Sequence, residues 1–420
     1  MTSDDKLLLK LWREKRFHNF FAQACVAFIR PLLLLALVRM FGVELANQVG
    51  TLFVAVGVGT MLSGFDSGQL FYQRAFKNAN GLVYFDYVGR VVIMSTLGLC
   101  CVIVMLCCLR IPLGSAAATV AYFITERYID ERQRYYLVAR ELDSWRALQI
   151  QRGLYQFAVL FVLFIFMTTV QGTATATTGM VFLPLALGNV LVAKVVYIFQ
   201  TSGKLFRRPL LVLWILSRSF QQLRQWLILW PTVLVASFYG YLDRVTVVLE
   251  GGEKLAAILL LLGSFGLISI VVNAGWFSMR RRDIVDQLLD NGALLTRGFL
   301  CSFIGGTLAS AVVAGLSLAA LPEGTRPSIL IVALCFAIQS TQLLGGILRE
   351  ILFYRKRPVL LLRIDAALLT GALLAMTLLF LLKAGISTAL WVIFAAFLTR
   401  FIVFLKMNSS GGRAGAGQLP

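Results

Sequence analysis

Apolar residues in this chain come in long runs, separated by short segments rich in Lys, Arg, Gly and Pro. An α-helix needs roughly 20 predominantly apolar residues to cross a hydrocarbon layer about 30 Å thick. Twelve runs of that length can be marked, at approximately 17–41, 47–67, 87–109, 112–134, 150–170, 177–200, 225–249, 254–277, 295–321, 327–348, 358–382 and 386–405. The pattern predicts an all-α polytopic membrane protein with twelve transmembrane helices.

Composition strengthens that reading. Hydrophobic residues make up 59% of the 420 and charged residues 14%, with a mean hydropathy of +0.82. A soluble domain carries about 45–50% apolar residues and has too little interior to bury the excess. The 39 Lys and Arg outnumber the 20 Asp and Glu, for a net charge of +19, which on a soluble protein would suggest nucleic acid. Here the basic residues lie between apolar runs, so the partner expected is membrane lipid and not nucleic acid. Of the 39, 30 fall in or beside the N-terminus, the loops after even-numbered spans and the C-terminus. Five (Arg39, Arg110, Lys254, Arg326, Lys383) fall in the opposite loops and four (Arg30, Lys194, Arg244, Arg400) within spans. By the positive-inside rule both termini are cytoplasmic.

Residues 1–16 set Leu7, Leu8, Leu11 and Trp12 among five basic residues, the pattern of an amphipathic segment on the inner membrane surface. A full-length span follows with no small-residue cleavage site, so a removed signal peptide is not expected. Residues 407–420 read as a flexible tail, and the connecting loops leave no room for a folded domain outside the bilayer. Comparing the halves at an offset of 209 residues pairs Gly42-x-Glu44 with Gly251-x-Glu253, and Gly57 with Gly266. That is the mark of a 6+6 parallel repeat. The expected organisation is a six-helix half at 17–200, a cytoplasmic linker at 201–224 and a second six-helix half at 225–406.

Enzyme chemistry finds little support. His18 is the single histidine, with no partner for a triad or a metal site, and no GxxxxGK[ST] phosphate loop occurs. No metal and no cofactor are expected. The seven cysteines all fall in apolar stretches and read as packing residues. The charges within spans are more informative, because each costs about 2.5–3.5 kcal/mol at a helix centre on insertion scales. Arg30 lies thirteen residues into the first span, about 20 Å along its axis and too deep to snorkel easily. Pro31 follows it and invites a bend. Arg30 is either a ligand of an anionic group or a structural residue bonded to a neighbouring helix. Lys194 and Arg400 are close enough to the cytoplasmic side either to reach the headgroups or to line a cavity. Arg127–Glu131 and Asp130–Arg134 have the i,i+4 spacing of a salt-bridged, solvated helix, with only Glu126 deep enough to matter. The basic triplets Arg280-Arg281-Arg282 and Arg355-Lys356-Arg357 read as topology anchors near anionic lipid.

Several segments together resemble the polysaccharide (O-antigen and exopolysaccharide) flippases of the multidrug/oligosaccharidyl-lipid/polysaccharide exporter superfamily. They are Arg30-Pro31, Phe41-Gly42-Val43-Glu44 and Phe65-Asp66-Ser67-Gly68 with Arg74 in the first half, and Tyr241-Leu242-Asp243-Arg244 with Gly251-Gly252-Glu253-Lys254-Leu255 in the second. The chain departs from the family at the position a few residues after the loop glutamate, where the usual glycine is Asn47 in one half and Ala256 in the other. The resemblance implies two six-helix lobes around a central cavity. It also implies alternating access, and transfer of undecaprenyl-pyrophosphate-linked sugar units across the bacterial inner membrane, with a polysaccharide polymerase and glycosyltransferases as partners.

A pyrophosphate leaving water needs fixed cations, which Arg30, Lys194, Arg244 and Arg400 are placed to supply. Coupling to H+ or Na+ would fall to Asp66, Glu126, Asp243 or Asp365. An ion-coupled multidrug/cation antiporter of the same architecture would prefer an acidic or aromatic cavity. A non-transporting component of an exopolysaccharide synthase complex would not need a charge as deep as Arg30.

Overall fold

The apolar runs fold as helices in a computed structural model of the chain. The structure describes residues 28–64, 81–138, 142–169, 177–193, 230–273, 297–354 and 358–414, together with Ala22, Gln23, Val26, Leu213, Ser217 and Trp276. In chain order the helices are α1 (Ile29–Phe41), α2 (Val43–Gly64), α3 (Gly81–Cys108), α4 (Leu113–Val138), α5 (Leu142–Thr169), α6 (Gly179–Ala193) and α7 (Trp230–Glu250). They continue as α8 (Leu255–Phe265), α9 (Leu267–Val272), α10 (Arg297–Ala320), α11 (Ile329–Tyr354), α12 (Pro358–Leu381) and α13 (Ile386–Ala414). No strand occurs among the described residues.

Six helical stretches among the described residues are long and apolar enough to cross a membrane: Val43–Ser63, Gly252–Val272, Gly298–Ala320, Ile329–Leu352, Val359–Leu381 and Ile386–Asn408. Each of the twelve apolar runs contains some described helix. Among the other helices, α4 carries Glu126, Arg127, Asp130, Glu131 and Arg132 along its length. These helices fit a multi-pass membrane protein. So does the outer face of α10 and α12, where Leu308, Leu316, Leu374, Leu378 and Phe380 all stand exposed. An apolar surface of that extent is stable against lipid and not against water.

The described helices form two compact units: one holds the described residues up to Asn47 and from Phe238 onward, the other those from Gln48 to Ser237. In the second unit α4 and α5 pack on α6, and Phe53, Tyr122 and Phe182 tie α2, α4 and α6 together with ring centroids 5.1–6.1 Å apart. α2 and α3 approach each other closely at two glycines. A Cβ on Gly98 would collide with Ser63 Oγ, and one on Gly59 with Val102 Cγ2. Small residues four apart let backbones meet in this way, and lipid offers helices few other reasons to associate.

In the first unit α8 packs against α1, α10 and α11, and α13 against α11 and α12. Ile268, Val272, Trp276, Phe299, Leu343, Ile347 and Ile351 form one buried core; Leu348, Leu352, Leu361 and Phe404 form another. Phe28 is a turn residue three positions before Pro31, which suits a proline that cannot donate to the preceding turn. A Cβ on Gly263 would meet the Pro31 ring at 3.1 Å, so the start of α1 lies directly on α8.

Two helices end alike. Arg110 and Lys383 have φ of 52° and 51°. Arg110 N–H bonds Cys107 O at 3.0 Å and Ile111 N–H bonds Leu106 O at 3.1 Å; Lys383 to Phe380 and Ala384 to Leu379 repeat the pattern at 3.1 and 2.9 Å. These are Schellman closures with a basic residue at the left-handed position where glycine is usual, and its charge suits the negative end of the helix dipole.

Candidate functional site

Charges inside apolar helices must be neutralised or bonded, and the described residues show three ways of doing so. In the second unit α4, α5 and α6 bring Glu126, Arg152 and Asn189 together. Glu126 and Arg152 form an ion pair. Asn189 Nδ2 donates to Glu126 Oε2 at 3.2 Å, and Gln156 Nε2 donates to Asn189 Oδ1 at 2.7 Å. Asp130 Oδ1 is 3.8 Å from the other end of the Arg152 guanidinium. Arg127 pairs with Glu131 as its spacing predicts. The face it occupies is not solvated, however: Arg127 is 3% exposed, because its guanidinium reaches across to α2 and donates to Ser63 O at 2.9 Å.

In the first unit Asp365 on α12 receives two guanidiniums. Arg349 Nε on α11 is 3.0 Å from one carboxylate oxygen and Arg400 Nε on α13 is 2.8 Å from the other. Asp365 has no exposed surface and Arg400 is 4% exposed. The Arg400 guanidinium also lies over the Tyr239 ring at 4.5 Å and the Phe404 ring at 5.3 Å, while Tyr239 OH donates to Ala396 O. Two cations around one carboxylate, with aromatic faces behind one of them, make a well-compensated buried group.

Asp243 on α7 is different. It is fully buried, it accepts from Gln339 Nε2 at 2.7 Å and from the backbone N–H of Arg244 at 2.8 Å, and among the described residues it makes no ion pair. The Arg244 side chain lies half-buried over the Tyr241 ring, 4.7 Å from its centroid. Gln342, one turn along α11 from Gln339, donates to the Gly240 carbonyl and fixes the same stretch of α7.

The residues singled out in the sequence are therefore distributed as follows. Arg400 and Asp365 meet in one ion pair, and Asp243 and Arg244 are chain neighbours with different surroundings. Glu126 belongs to the second unit, where Arg152 neutralises it. Arg30 is the second residue of α1 and is half-buried. Lys194 and Asp66 lie outside the described residues. Arg152 and Arg349, which the sequence does not single out, are both interior partners. Gln149, Arg152 and Gln156 fall at helical spacing on one face of α5, a signal that reveals a polar stripe in the sequence. Nothing in the sequence points to Asn189, Gln339 or Tyr239 as partners.

Comparison of the chain with protein-family models, curated proteins and solved structures returns no match. Among the described residues no group of three or more His, Cys, Asp or Glu side chains is arranged to hold a metal ion.

Proposed function

We propose that this chain is a flippase for lipid-linked oligosaccharide: a multi-pass protein of the bacterial inner membrane that moves undecaprenyl-pyrophosphate-linked sugar units outward by alternating access, for surface polysaccharide synthesis. The observation that carries the reading is Arg244. It sits on an apolar helix, half-buried against Tyr241, and makes no ion pair among the described residues. A guanidinium kept at a membrane helix without a carboxylate on it suits phosphate oxygens, which it can bond bidentately. Arg400, by contrast, is held by Asp365 and serves the helix packing first. Arg30 remains a second headgroup ligand in this proposal, on a segment braced against α8.

The arrangement of the buried triads supports twelve spans in two parallel halves. Glu126, Arg152 and Asn189 lie on the helices of the fourth, fifth and sixth apolar runs; Arg349, Asp365 and Arg400 lie on those of the tenth, eleventh and twelfth, Arg349 one residue past the end of its run. Each triad joins the same three ordinal helices of its half, with α4 on α6 and α11 on α13. Among the acids considered for ion coupling, Asp243 is the best supported, since Glu126 and Asp365 already carry guanidiniums.

The test is export of surface polysaccharide in the native host, read with accumulation of lipid-linked intermediate. Arg244→Ala is expected to reach the membrane at normal levels and abolish export, and Arg244→Lys to retain part of it. Full export by Arg244→Ala excludes the headgroup role. Asp243 favours one other reading, an ion-coupled cation antiporter. That reading gains if Asp243→Asn removes drug resistance while Arg244→Ala leaves polysaccharide untouched.

A further inference from the structure

The position where this chain departs from the flippase pattern is also where two distant turns are joined. Asn47, the fifth residue of α2, uses both ends of its amide on the turn between α7 and α8 and the start of α8. Its Oδ1 accepts from the backbone N–H of Ala256 at 2.8 Å, and its Nδ2 donates to Gly252 O at 3.2 Å. Ala256 is the residue that the 209-residue offset pairs with Asn47, so each residue replacing the usual glycine contacts the other. The Ala256 N–H is one of the first donors of α8, which have no partner inside the helix and are usually capped by a side chain nearby in sequence. Here the cap comes from 209 residues away.

Both turns contain a glycine in a conformation that other residues rarely adopt: Gly42 at φ 89° and Gly252 at φ 49°. A Cβ at either would meet nothing within 4 Å, so these glycines are required by the backbone and not by packing. The amide of Asn47, partly exposed, ties the two turns together beyond the packing of α1 on α8. Both lie in the first unit.

We propose that Asn47 is a polar latch, pinning the α1–α2 turn to the α7–α8 turn, and that its two hydrogen bonds break when this end of the helices opens during the transport cycle. The proposal rests on the transporter reading for its purpose but not for its geometry. Two neutral hydrogen bonds at a partly wet position suit a contact that must form and release, where a buried ion pair would hold it shut.

Hydrogen exchange of the full chain in lipid nanodiscs tests it, followed on peptides covering residues 41–50 and 250–260. Asn47→Leu removes both bonds at similar size, and exchange in both turns is expected to rise together by about tenfold or more. Asn47→Asp keeps the acceptor and loses the donor, and is expected to fall in between, with peptides from α12 unchanged in both variants. A rise confined to the first turn of α8 would make Asn47 a local helix cap and overturn the latch. No rise in either turn would overturn it as well. Neither readout uses a substrate, so a latch that behaves as expected in a protein that exports no polysaccharide would count against the transport reading alone.

Discussion

Replacing Asp365 by Asn changes shape little and charge entirely. The carboxylate it removes is fully buried and receives Arg349 Nε at 3.0 Å and Arg400 Nε at 2.8 Å. The amide retains one acceptor, so two guanidiniums lose their anion and one also faces a new N–H donor. Removing one partner of a buried pair costs about 3–5 kcal/mol, because the other charge stays behind. The Tyr239 and Phe404 faces stacked on Arg400 offset part of this, about 1–2 kcal/mol for desolvated cation–π contacts. A net loss of about 2–3 kcal/mol remains. At roughly 2–4 °C per kcal/mol for a unit of this size, Tm in detergent is expected to fall by about 4–12 °C. Scanning fluorimetry on purified Asp365→Asn measures it. Arg400→Met in the same chain removes the stranded cation, so the double variant is expected to recover a coupling energy of about 1.5 kcal/mol or more. A loss under about 1 kcal/mol for Asp365→Asn, or strictly additive effects, would refute the argument that this carboxylate neutralises buried cations.

Gly98→Leu drives a side chain into Ser63 and the Gly59 carbonyl, so membrane accumulation is expected to collapse, while Gly305→Leu, where a Cβ meets nothing within 4 Å, is expected to accumulate normally; quantitative blotting of membranes compares the two. Lys383→Val puts a β-branched residue at φ 51° and is expected to lose about 1–2 kcal/mol of stability, whereas Lys383→Gly keeps the Schellman turn and its Tm. Reporter fusions after Lys204 and after Glu323 are expected to report cytoplasm and exterior respectively, from the distribution of Lys and Arg, and the reverse result would invert the orientation.

The sequence by itself determined the solvent and the helices. Runs of about twenty apolar residues leave the backbone no alternative to internal hydrogen bonding in lipid, and that requirement is local, so it is readable from one residue to the next. It also marked which residues were anomalous: Arg400, Asp365, Asp243, Arg244 and Glu126 each stand out as a cost inside an apolar run. What it did not determine was the pairing. Arg400 reads as either a snorkelling or a cavity-lining cation and Asp365 as one of four acids open to ion coupling; that they neutralise each other across 35 residues is visible only with α12 and α13 laid side by side. Arg127 reads as solvated until its guanidinium is found on the Ser63 carbonyl of α2. Asn47 reads as a missing glycine until its amide is found on the Ala256 N–H. Only tertiary structure decides such contacts, because a charge or an amide has a definite cost in the sequence but acquires its partner from whichever helix packs against it.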